Sequence, residues 1–206
     1  MKKLVLAAVL LTVLCAWPSA ASAGDVGIVK LSLWDDIAVA LPNNTQTVRG
    51  VDLGIGSETN SIYGWQADLV KSEAGELRGI NEAIGWSTIN EGYGINGAFI
   101  YARSNELYGA QGAIYNVSGK LYGIQGGLVA VNNQELKGVQ YSFINLAHGS
   151  VIGAQLGIYN QVEDLHGVQL GFVNNARHIS KGLQLGIVNI AKNGWLPVMV
   201  LVNGRF

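Results

Sequence analysis

A glycine recurs every 14 or 15 residues, at positions 50, 64, 79, 94, 109, 123, 138, 153, 167 and 182. Each opens a copy of one pattern. The clearest copies read GLQLGIVNIA from Gly182, GVQLGFVNNA from Gly167, GAQLGIYNQV from Gly153 and GVQYSFINLA from Gly138. GIQGGLVAVN from Gly123 and GAQGAIYNVS from Gly109 follow, and weaker copies begin at Gly94, Gly79, Gly64 and Gly50. Ten copies at so even a period make the chain an array, and the array constrains the fold before any other feature does.

With the leading glycine as position zero, position +5 is apolar in every copy, from Ile55 to Ile187. Position +1 is also apolar, and +3 is mixed. Position +2 is glutamine in seven copies, asparagine at Asn81 and Asn96, and Asp52 in the first. Position +4 is Gly, Ala or Ser except at Asp68. Period-two alternation is a strand pattern, because successive side chains leave opposite faces. A helix would spread +1, +3 and +5 around its circumference, and the glycines would weaken it. Each repeat therefore predicts a strand of about eight to ten residues and a turn of about five. Ser118-Gly119, Asn132-Asn133, His148-Gly149-Ser150, Glu163-Asp164 and Lys192-Asn193-Gly194 supply the turn residues.

Two all-β architectures use such a repeat. The expected one is an up-and-down meander closing as an outer-membrane-type β-barrel of about twelve strands, whose odd face meets lipid and whose lumen carries Gln, Gly, Ala and Ser. Position −1, with Arg49, Tyr63, Arg78, Tyr93, Tyr108, Tyr122, Lys137 and Lys181, then supplies the aromatic and basic girdle of a membrane boundary. The terminal Phe206 resembles the end of a barrel's closing strand. The alternative is a β-solenoid with one coil per repeat. There the glutamines and Asn116, Asn145, Asn160, Asn174 and Asn189 stack in columns, and the glycine marks a corner with positive φ. Positions −2, +1, +3 and +5 would fill its core. Apolar residues at +6, such as Ile100, Tyr115 and Ile144, would lie outside and favour self-association.

The rest of the chain sets the context. Lys2 and Lys3, an apolar run from Leu4 to Trp17, and Ala21-Ser22-Ala23 form an export signal with an A-x-A cleavage site, so residues 1–23 are expected to be removed. The remaining 24–206 predict one all-β repeat domain: N-terminal strands in 24–45 (VGIVKLSLW and Ile37 to Leu41), repeats in 46–193 and a closing strand in 194–206. The only cysteine, Cys15, lies in the signal, which leaves no disulfide framework and no thiolate metal site. Only 13% of residues are charged, about half the usual ~25%. The net charge of −1 gives no electrostatic reason to bind nucleic acid.

The repeat type, with its closing NGWLPVMVLVNGRF, resembles a group of bacterial envelope surface-repeat proteins with tandem GLQLGLVN-type repeats and no assigned biochemical function. The resemblance implies an exported protein of the outer membrane or cell surface and carries no catalytic residues.

No motif adds chemistry. His148, His166 and His178 have no partner at metal-ligand spacing, and no serine sits in a G-x-S-x-G setting. The chain is expected to be non-enzymatic, without cofactor or metal. Its expected partner is outer-membrane lipid and its role structural or that of a passive small pore, the alternative being a secreted or surface-bound adhesion or binding module. Two acids break the pattern: Asp68 stands where small residues belong, and Glu82 where apolar ones do. With Asp52 they form a candidate polar notch on three consecutive strands, at a lumen entrance or ligand site.

Overall fold

The computed structural model describes residues 26–34, 37–41 and 45–206, and all the regular elements among them are strands. The expected export signal lies outside the described residues, as do the turns expected at Asp35-Asp36 and at Pro42 to Asn44. The strands are β1 (Val26–Trp34), β2 (Ile37–Leu41), β3 (Thr47–Ala83), β4 (Trp86–Ala98), β5 (Tyr101–Leu156), β6 (Tyr159–Leu170), β7 (Val173–Ala191) and β8 (Val198–Arg205). β3 and β5 have 37 and 56 residues, too long for one crossing of anything. They are continuous because the backbone keeps its ladder bonds through the corners of successive coils. The expected division into a short strand and a five-residue turn does not hold for them.

Pairing decides between the two architectures. An up-and-down barrel pairs consecutive strands antiparallel. Here each repeat lies parallel to the next, with Gly79 beside Gly94, Gly94 beside Gly109, Gly153 beside Gly167 and Gly167 beside Gly182. The chain is a β-solenoid with one coil per repeat, and the barrel expectation is wrong. β8 pairs antiparallel with β7 and β2 antiparallel with β1, so each end of the stack is covered by a reversed strand. β2 and β8, of 5 and 8 residues, are then the edge strands, and short edge strands are one usual way of blunting an exposed sheet edge. The final segment is thus a cap, not the closing strand of a barrel.

The side-chain assignment differs from both expectations in part. Position −2 fills the apolar core, with Val48, Ile62, Leu77, Leu107, Leu121, Leu136, Val151 and Leu165 buried. Ile179 takes the tenth place because the register slips by one residue between β6 and β7. Positions +1, +3 and +5, assigned to the core of a solenoid, point outward instead. The interior beside the leucine column is amide. Gln125, Gln140, Gln155, Gln169 and Gln184 are fully buried, as are Asn145, Asn160, Asn174 and Asn189.

Buried amides are costly unless bonded, and here each is bonded to its own copy one coil away. Gln140 donates to Gln125 at 3.0 Å, Gln155 to Gln140 at 2.8 Å, and Gln169 to Gln155 and Gln184 to Gln169 at 2.7 Å. The asparagine column runs the other way: Asn145 donates to Asn160, Asn160 to Asn174 and Asn174 to Asn189, each at 2.8 Å. Unpaired acceptors are left at opposite ends, on Gln184 Oε1 and Asn145 Oδ1. Such ladders stabilise cross-β stacks for the same reason, since identical side chains repeat at the strand spacing.

The leading glycines also form a column. Nine of them, Gly50 to Gly167, have φ between 140° and 158°. From Gly64 on, a Cβ on any leading glycine would overlap the carbonyl oxygen of the leading glycine before it. Positive φ and close approach both exclude other residues at this position.

Candidate functional site

Outward positions +1, +3 and +5 form a continuous apolar face. Phe99, Phe143 and Phe172 are 67%, 56% and 56% exposed, with Leu69, Ile84, Leu128, Ile158 and Ile187 exposed in the same column. Trp65, Ile95, Ile124 and Val168 are exposed at +1. Nine steps of about 4.8 Å between coils and four residues of about 3.3 Å give a band roughly 43 Å by 13 Å. Exposed Ile100, Tyr115 and Ile144 at +6 widen it. Soluble monomers rarely expose so large a contiguous apolar area without a use for it.

The relief of this face is uneven. Gly97, Gly112 and Gly126 occupy +3 in three successive coils, and a Cβ at any of them would meet no heavy atom closer than 3.4 Å. These glycines are not required by the backbone. They leave a shallow trough, and Tyr141, 67% exposed, rises at the next +3 position.

Position −1 borders the band. Tyr93, Tyr108 and Tyr122 stack, with ring centroids 4.9 and 4.5 Å apart. Arg78 lies over the rings of Tyr63 and Tyr93, Arg49 over Tyr63 and Lys137 over Tyr122. None of the ten −1 residues is acidic. The acids lie two residues further from the band: Glu76 pairs with Arg78 at 3.0 Å and Glu135 with Lys137 at 2.9 Å. The Lys137 ammonium, and then the Tyr122 hydroxyl, hold the Glu135 carboxyl below its ordinary range. A hydrogen bond from the Tyr108 hydroxyl to Glu106 pushes that phenol up to about 12.

The notch residues separate. Asp52 and Asp68 face the interior and are buried, whereas Glu82 is exposed on the apolar face in regular register with Gly97. Among the described residues the coil interior is filled by the apolar and amide columns, which leaves no lumen for a notch to open into. Asp52 accepts from Ser57 Oγ at 2.6 Å, Thr59 Oγ1 at 2.7 Å and Ser32 Oγ at 3.3 Å. Lys30 Nζ donates to Thr59 Oγ1 at 2.7 Å and lies 3.8 Å from Asp52 Oδ2. This buried pair and its hydroxyls replace the amide ladder in the first coils. Sequence reasoning missed Lys30, although a lysine in the alternating strand VGIVKLSLW was a signal that one face of β1 is polar.

Asp68 has no such support. Neither carboxylate oxygen has a hydrogen-bond partner of good geometry. Burial pushes its carboxyl up to about 7 against the opposing pull of Ser72, with Asp52 adding repulsion and Gln66 and Lys30 adding to the pull.

A shallow cleft of about 250 Å³ opens away from the band, lined in part by Asn60, Asn90, Asn105, Glu73 and Arg103. Its amides bond within the array, Asn60 to Gln46 and Asn105 to Asn90. Among the described residues no three His, Cys, Asp or Glu side chains group as metal ligands. No family model, curated protein or solved structure matches the chain.

Proposed function

We propose that this chain is an exported β-solenoid of the bacterial envelope that acts as a binding or scaffolding module, without catalysis, through its apolar sheet face. The observation that carries the reading is the band itself: Phe99, Phe143 and Phe172 stand in water on a rigid, regular sheet. A core built on amides leaves the apolar residues free for contact. Export rests on the N-terminal signal and on the resemblance to surface-repeat proteins. A passive pore receives no support from a fold without a lumen.

The test uses the absence of cysteine after Cys15. Single cysteines at Phe143 (F143C) and at Asn105 (N105C) are labelled with a water-soluble maleimide, in the purified chain and in intact cells. The reading predicts that both react in the purified chain, while on cells F143C is protected and N105C is not. Equal labelling of F143C in both settings contradicts it.

A further inference from the structure

We infer that the occupant of the apolar face is the surface of a phospholipid bilayer, on which the solenoid lies along its length. The inference rests on the reading of that face as a contact surface and names what it contacts. Three observations favour lipid over a second copy of the chain.

The first is the border. One long edge of the band carries Tyr63, Tyr93, Tyr108 and Tyr122 together with Arg49, Arg78, Lys137 and Lys181, its other two residues being Ile152 and His166, and no acid. Tyrosine and basic side chains are the ones that settle at headgroup level, with an apolar body inward and a polar tip in water. The second is the order of charge. Glu76 and Glu135 lie on the side of Arg78 and Lys137 away from the band, so cations would meet phosphates before the acids come near. The third is the relief. Two rigid sheets need matched surfaces to stack at about 10 Å. The trough at Gly97, Gly112 and Gly126 beside the raised Tyr141 is ill suited to that, whereas fluid acyl chains conform to it. Glu82, the one charged residue within the band at +1, +3 and +5, would have to stay near the interface. An amphipathic surface with a flat apolar side and a polar opposite side binds membranes in this peripheral manner when it is helical, and the same energetics apply to a sheet.

The experiment is sedimentation of the purified chain with vesicles of phosphatidylethanolamine and phosphatidylglycerol. The expected result is co-sedimentation that falls at least ten-fold in the Phe99→Asp/Phe143→Asp/Phe172→Asp variant. Its circular dichroism and melting should be unchanged, because all three side chains are exposed. Phe143→Asp alone, expected to lose a smaller fraction of binding, serves if the triple variant fails to fold. No co-sedimentation, or co-sedimentation indifferent to these substitutions, overturns the lipid assignment. Light scattering on the same samples separates the two failures. A dimer abolished by Phe143→Asp without vesicle binding would mean that the face is a contact surface for another copy. If neither vesicle binding nor such a dimer is seen, the contact-surface reading is overturned as well.

Discussion

Gln169 donates its side-chain amide to Gln155 across one coil, at 2.7 Å, with both residues fully buried. Gln155 in turn donates to Gln140 at 2.8 Å and to the Gln161 carbonyl at 3.1 Å. A residue in mid-ladder therefore satisfies two neighbours, and replacing it strands groups on both. Gln155→Leu fits the volume but leaves Gln140 Oε1 and the Gln169 amide without those partners. Unpaired buried polar groups cost about 1–3 kcal/mol each. Urea unfolding should show a loss of about 2–6 kcal/mol for the two groups together.

Gly109 and Gly112 are three residues apart and should respond oppositely to alanine. Gly109 has φ 148°, and its Cβ would overlap the Gly94 carbonyl oxygen. Gly109→Ala should destabilise by about 2–5 kcal/mol, from backbone strain and overpacking together. Gly112 faces outward, and the nearest atom to its Cβ would be 3.9 Å away. Gly112→Ala should change stability by no more than about 0.5 kcal/mol. Thermal melts of the two variants check both.

Asp68 gives the fold a pH dependence with a definite sign. Its carboxyl is raised from 3.8 to about 7 in the folded state. Between those values the folded chain holds a proton that the unfolded chain has released, so stability falls as pH rises through this window. Three pH units at about 1.4 kcal/mol each set an upper bound of about 4 kcal/mol. Asp68→Asn removes the effect. It should raise the melting temperature at pH 8 and leave it nearly unchanged at pH 3.5. An equal shift at both pH values would place the cause elsewhere.

Much of this structure was legible in the repeat. The period set the coil, the alternation set two faces, and the amide columns and the positive-φ glycine column stand where the spacing put them. What the pattern did not reveal was which face is inside. Burying Ile187 and Phe172 is the ordinary expectation, and Gln184 and Asn189 override it because each stacks on a copy of itself. Strand direction was equally hidden, because a 15-residue strand-and-turn unit suits an antiparallel hairpin as well as a parallel coil. The acids at positions 52, 68 and 82 looked like one feature only while three consecutive strands were expected to border a lumen.

Parallel stacking is tested most directly at Tyr93 and Tyr108. They are register partners in adjacent coils, with rings 4.9 Å apart. Strands at that spacing bring paired Cα atoms within reach of a disulfide. The double variant Tyr93→Cys/Tyr108→Cys, in a chain otherwise without cysteine after Cys15, should cross-link within one molecule under mild oxidation. In an antiparallel meander these two positions would lie at opposite ends of neighbouring strands. Failure to form the intramolecular disulfide in the folded chain would contradict the solenoid.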